Sequence, residues 1–171
     1  MSDLAHRSES VEWYTPPKVI EVAREVLGGP IDLDPFSCRL ANQTVEAATY
    51  WTDFNPETPW WGRVWVNPPY TRSGMQWIAA RAAMCWRNEC DGILGLWRAS
   101  TGSAGFQALW QADVLCFWRG RIAFGRPSGD AVEYGQGAGY DSVLAYFGDR
   151  PGWAAACLRP HGYVITGGHR G

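Results

Sequence analysis

The segment Val64-Trp65-Val66-Asn67-Pro68-Pro69-Tyr70 sets the tightest limit on how this chain can fold. Three β-forming residues run into two prolines, each of which lacks an amide donor and fixes φ. A strand entering at Val64 must therefore stop at Asn67. Pro68 also holds Asn67 out of the α region, and Pro69 does the same to Pro68. The product is a stiff tip that carries a side-chain amide, a free carbonyl and an aromatic ring. In open α/β sheets, ligands bind at the carboxyl ends of the strands, where this tip would stand.

The Asn67 amide oxygen and the Pro68 carbonyl can both accept hydrogen bonds from one planar exocyclic NH2 group. Tyr70 can lie against the flat ring that bears it. Two fixed acceptors stabilise the positive charge that such a nitrogen develops as it attacks a carbon electrophile, with no prior deprotonation. These residues suit methylation of an amino group on a flat base. The competing reading is a turn that only caps a strand.

At 171 residues the chain fits one domain with a sizeable core. Residues 1–10 are polar and read as a flexible terminus, which leaves 11–171 as a single domain. Eleven Trp serve as core, as stacking platforms, or both. A net charge of −2 gives no overall footprint for nucleic acid, so such a partner must meet a local cluster of Arg. Five cysteines with no Cys-x-x-Cys pair argue against a metal site and for reduced, mostly buried thiols. No secretory signal or long apolar run stands out, which predicts a soluble cytoplasmic protein with no membrane contact.

Along the chain, Thr15 is a good N-cap and Pro16 suits the first position of a helix over 18–27, which Gly28-Gly29 ends. Trp13 and Tyr14 at its amino end either staple the helix to the core or wall a ligand site. Residues 31–37 predict a short strand ending on Asp34 and Pro35, with Phe36 beside them. Asp34 is placed to bind a cationic or hydroxylated ligand, or to cap the helix expected over 39–48. Asp32 reads as solvent-facing. Asp53-Phe54 offers an acid and a ring to an adenine, or forms a plain Asx turn.

Ser73 predicts the cap of a helix to about residue 86, with Met75, Ile78, Ala82 and Cys85 aligned on its core side. Residues 91–97 read as a strand covered on both faces. A short helix over 103–111, a strand over 114–118 and an extended run over 119–124 follow. Residues 125–139 are Gly-rich and read as a mobile loop. A strand over 141–147, a helix over 153–158 and a strand over 163–166 close the chain. This alternation implies a three-layer α/β/α sheet, mostly parallel, with antiparallel late strands. The tips at Asp34, Asn67 and Arg98 would then share one edge.

The ordered set Glu12-Trp13-Tyr14-Thr15-Pro16-Pro17, Asp32-Leu33-Asp34-Pro35-Phe36-Ser37 and Asn67-Pro68-Pro69-Tyr70 resembles the phage-type DNA N-6-adenine methyltransferases. The likeness continues weakly to Phe147. It implies a reduced Rossmann-like methyltransferase fold with S-adenosyl-L-methionine as cofactor and no metal. By this resemblance Asn67, Pro68, Pro69 and Tyr70 form the catalytic tip. Trp13, Tyr14, Thr15, Pro16, Asp34, Pro35 and Phe36 face the cofactor, with Asp53 matching more loosely. Arg72, Arg98, Arg119 and Arg121 are the candidates for DNA phosphate contacts. The partner implied is double-stranded DNA with its adenine flipped out, and the setting a bacterial cytoplasm reached from a phage or prophage gene.

Two features depart from the larger enzymes of this kind: no Gly-rich turn follows Asp34, and no clear acid ends a second strand to hold ribose hydroxyls, although Glu46 is near. The same chemistry on cytosine N4, RNA or protein glutamine, and a homologue that binds without catalysis, are the alternatives.

Overall fold

The structure is a computed structural model that describes residues 13–70, 72–137 and 139–167. The flexible terminus expected over 1–10 and Glu12 lie outside the described residues, as do the side chains of Arg72 and of the expected cap Ser73. The elements run α1 (Pro17–Leu27), β1 (Leu33–Asp34), α2 (Arg39–Val45), β2 (Thr49–Tyr50), β3 (Gly62–Val66), α3 (Arg72–Asn88) and β4 (Cys90–Arg98). There follow α4 (Ala104–Gln107), β5 (Val114–Trp118), β6 (Ala123–Ser128), β7 (Ala131–Gly137), β8 (Ser142–Phe147), α5 (Pro151–Leu158) and β9 (Gly162–Thr166).

Seven strands form one sheet in the order β2-β1-β3-β4-β8-β5-β9. The first four in that order are parallel, and β8 and β9 run antiparallel to their neighbours. Helices α1 and α5 pack on one face, over Trp65, Leu94, Leu96 and Leu144. The other face, through Val64, Val66, Ile93 and Trp97, is covered by α3 and α4. Gly92 to Trp97 are all buried, as the unalternating apolar run of β4 requires. This is a mixed α/β sheet with flanking helices, consistent with a Rossmann-like methyltransferase fold.

Helix α1 buries Val19, Ile20, Val22, Ala23, Val26 and Leu27, a stripe at helical spacing. Burying each of the larger ones contributes about 1.5–3 kcal/mol against conformational entropy. Gly28 stops the helix at φ 78°, a left-handed turn that costs glycine little.

Several elements differ from the sequence reading. Thr15 does not cap α1: Pro16 holds the cap position and Pro17 the first turn, which leaves the Thr15 hydroxyl for another partner. The strand expected over 31–37 pairs only at Leu33–Asp34, because Pro35 has no amide to continue it. Asp32 is half-buried in an ion pair with Arg63 at 2.9 Å. Asp34 does not cap α2; the Cys38 sulfur does, accepting from the Ala41 amide. That helix ends at Val45, where Glu46 turns left-handed. The helix over 103–111 tightens to a 3-10 turn from Ala108. Cys116 and Cys157 are buried, but Cys38, Cys85 and Cys90 only half so.

The largest correction concerns 119–139. The extended run breaks at Gly120 (φ 74°), and the supposed mobile loop is the antiparallel hairpin β6–β7. Gly125 bridges to Tyr14 through two backbone hydrogen bonds of 3.0 and 2.8 Å. A side chain there would collide with Val132 and Tyr134, 2.2 and 2.7 Å from its Cβ. Tyr134 bonds Thr44 and Asp130 pairs with Arg39, so the hairpin lies along α2.

Candidate active site

The carboxyl ends of β1, β3 and β4 meet at one edge, and parallel pairing brings Asp34, Asn67 and Arg98 to it in a stagger of about two residues from strand to strand. Asn67 is held hard. Its Nδ2 donates to the Trp13 carbonyl and to Thr15 Oγ1, both at 3.0 Å. That fixes the amide so that Oδ1 is the outward acceptor. The Tyr70 hydroxyl donates to Oδ1 at 3.2 Å. Burial pushes the Tyr70 hydroxyl well up, so it remains a donor.

Trp13, Tyr14, Thr15, Asp34, Phe36, Asn67, Pro68, Pro69 and Tyr70 line one cleft, with Ser37, Cys38 and Trp65. Asp34 is 2% exposed, and burial raises its carboxyl from 3.8 to about 7 against the Phe36 amide, which donates to it at 3.1 Å. The Ser37 hydroxyl also bonds the Asp34 carboxyl and opposes that rise; among the described residues Trp65 Nε1 is buried without a hydrogen-bond partner. Orphaned polar atoms are costly unless a ligand or water satisfies them. A carboxyl group and an unpaired indole donor in one cleft are the complement of an amino acid's ammonium and carboxylate.

Through Phe36, Ser37 and Pro69 this cleft joins a groove that is also lined by Pro35, Thr52, Phe54, Trp77 and Ile78. Phe36 stacks on Phe54 with centroids 4.4 Å apart. The groove offers apolar, aromatic walls to a flat ring. Pro16 lies outside both lining sets, as the cap of α1. Asp53 is exposed just beyond β2, so it stands at the tip of the strand next to β1. Asp53 lies outside both lining sets, beside Tyr50, Trp51, Thr52 and Thr58, and the carboxylate of Glu46 pairs with Arg24.

Arg98 lies over the rings of Tyr70 and Tyr140. Arg119 and Arg121 are exposed where β5 ends, and β5 runs in the same direction as β4. Arg159 and His161 precede β9 at that edge, with His161 stacked on Trp118 at 5.2 Å. One acid, Asp141, approaches Arg121 at 3.9 Å. Four arginines thus stand on one rim although the chain as a whole is acidic.

Sequence reasoning missed Tyr140, Trp65, Ser37 and Arg159. Tyr140 sits immediately before the strand over 141–147, and that position alone would have put it at the same edge. The sequence marks Trp65 only as a strand residue; its unpaired indole is visible only in three dimensions.

Comparison with curated proteins finds no match. A family model described as DNA N-6-adenine-methyltransferase (Dam) matches residues 4–146. That match spans most of the chain and takes in the Asn67 tip, the Asp34 strand and the aromatic segment at Trp13. This chain therefore belongs to the DNA N-6-adenine-methyltransferase family.

Proposed function

We propose that the chain, as a single domain over 11–171, methylates N6 of adenines extruded from double-stranded DNA, with S-adenosyl-L-methionine as donor. The observation that carries this reading is the Asn67 amide, locked through Nδ2 by Trp13 and Thr15, with Oδ1 left as an acceptor beside Tyr70. When bound, S-adenosylmethionine supplies an electrophilic methyl group on a positively charged sulfur.

The residues fit that group. Asp34 would take its ammonium, Trp65 Nε1 its carboxylate, joined by the Ser37 hydroxyl once it turns from Asp34, and Asp53 its ribose hydroxyls by the general rule for acids at a neighbouring strand tip. The groove at Phe36 and Phe54 suits its adenine. The ring of Tyr14 favours a cationic sulfur by about 0.5–2 kcal/mol, whereas Trp13 already carries the Arg126 guanidinium, 4.4 Å from its ring centroid.

On the substrate side, Asn67 Oδ1 and the Pro68 carbonyl accept from N6, and the Tyr70 hydroxyl leaves Oδ1 as the amine arrives. Positive charge on N6 is met by two preorganised acceptors, so catalysis rests on positioning and electrostatics. Extruding the base costs a few kcal/mol, which contacts from Arg72, Arg98, Arg119, Arg121 and Arg159 to the backbone would offset. The reading carries with it a cytoplasmic setting and a phage or prophage origin. Among the described residues no helix is long and apolar enough to cross a membrane.

The test is transfer from labelled S-adenosylmethionine to unmodified double-stranded DNA, followed by nucleoside analysis. N6-methyladenine is the expected product. N4-methylcytosine, or no label with cofactor binding intact, would refute the assignment of the base.

A further inference from the structure

Arg98 ends β4 with an exposed side chain, yet its guanidinium lies over two rings, 4.3 Å from the Tyr140 centroid and 5.2 Å from that of Tyr70. Those rings meet edge to face, with centroids 5.3 Å apart and planes at 78°, and form an aromatic corner. Among the described residues no carboxylate pairs with Arg98. Tyr70 and Arg98 together face a cleft that continues past Ser100, Gly102 and Ser103. Tyr70 also lines the cleft that holds Asp34, so its ring is the wall between the two.

We propose that Arg98 is a plug: in the DNA-free enzyme it fills the aromatic corner that the extruded adenine takes, and it yields as the base enters. This rests on the function proposed above. A guanidinium is flat, weakly hydrated and stacks on aromatic faces, so it satisfies the same surface that a base does. The Tyr70 face under the guanidinium cannot hold a purine and Arg98 at once. Being exposed and long, the side chain can leave with little loss of packing. Turned toward Ser100 and Gly102, it meets the backbone phosphate that arrives with a DNA nucleotide.

The consequence is selectivity. DNA displaces the plug and gives it a phosphate; a free adenine nucleoside displaces it and gives nothing back. Arg98 thus discriminates against nucleosides that carry the same base.

The experiment measures 2′-deoxyadenosine as an inhibitor of DNA methylation by wild type, Arg98→Ala and Arg98→Gln. Two exposed cation–π contacts correspond to roughly 5- to 30-fold in affinity, so the inhibition constant should fall by about that factor in Arg98→Ala and by less in Arg98→Gln. In the same preparations DNA should bind more weakly, with the slope of log affinity against log salt reduced by about one. An inhibition constant that is unchanged or raised, or no inhibition of any of the three proteins, overturns the proposal. If wild type makes no N6-methyladenine, the parent reading fails and the plug with it. If it does and the inhibition constants are equal, only the plug fails.

Discussion

Asp34→Asn isolates the buried carboxyl that the cleft is built around. In the unfolded chain this group ionises near an ordinary 3.8, whereas burial raises it to about 7 in the folded one. Between those values the folded state keeps a proton that the unfolded state has lost, so stability falls as pH rises. Below about 4 both states are protonated and above about 7 both are ionised, so the effect is confined to that window. At about 1.36 kcal/mol per unit, the full difference is ~4 kcal/mol of stability absent at high pH. Asparagine keeps the shape and an acceptor for the Phe36 amide but carries no charge. Relative to wild type, the variant should gain ~2–3 kcal/mol between about pH 5 and pH 8, read from urea unfolding at each pH. Cofactor affinity should move the other way. An ammonium favours the ionised carboxylate, so wild-type affinity should rise by up to about tenfold per pH unit toward 7, and the variant should bind weakly with a flat profile. A stability difference that stays constant across the window would refute the burial argument. A variant that binds S-adenosylmethionine as wild type does would refute the role in the cleft.

Thr15→Val removes the hydroxyl that holds Asn67 Nδ2 while keeping the volume. Turnover should fall about tenfold, on the scale of one lost buried hydrogen bond, with KM for DNA little changed and Thr15→Ser restoring most of the rate. Tyr70→Ala should lower kcat/KM by about 5- to 150-fold through lost stacking, whereas Tyr70→Phe keeps the ring and should stay within about fivefold; steady-state kinetics on one DNA separate them, and a Phe variant as poor as Ala contradicts the stacking role. Arg119→Ala and Arg159→Ala should each weaken DNA binding without changing the product, and each should lower the salt slope by about one, as titration at several ionic strengths would read.

The fold was legible where its causes are local. The two prolines end β3 whatever surrounds it, the α1 stripe and Gly28 set that helix, and the unalternating apolar run of β4 signals burial on both faces. From these the shared edge at Asp34, Asn67 and Arg98 followed. Long-range pairings were not legible. Thr15 reads as a cap by its neighbours, but its partner is 52 residues away. The hairpin over 123–137 reads as a loop because glycine lowers strand propensity. Its glycine at 125 is there because Val132 and Tyr134 occupy the space that a Cβ would need. Tyr140 was hidden at the end of the same Gly-rich stretch. Asp53 was noticed as an acid beside a ring, but two-residue β2 is too short to announce itself, so its place at a strand tip was lost.

Asn67→Ala puts the whole account to its most direct test. Methyl transfer to DNA and S-adenosylmethionine affinity should be measured side by side, with an unfolding curve to confirm the fold. Loss of a preorganised acceptor predicts a fall in turnover of about 10²- to 10³-fold, with cofactor affinity within about twofold because Asp34, Ser37 and Trp65 are untouched. Turnover that survives in a folded variant would mean that the amine is not received at the Asn67 tip.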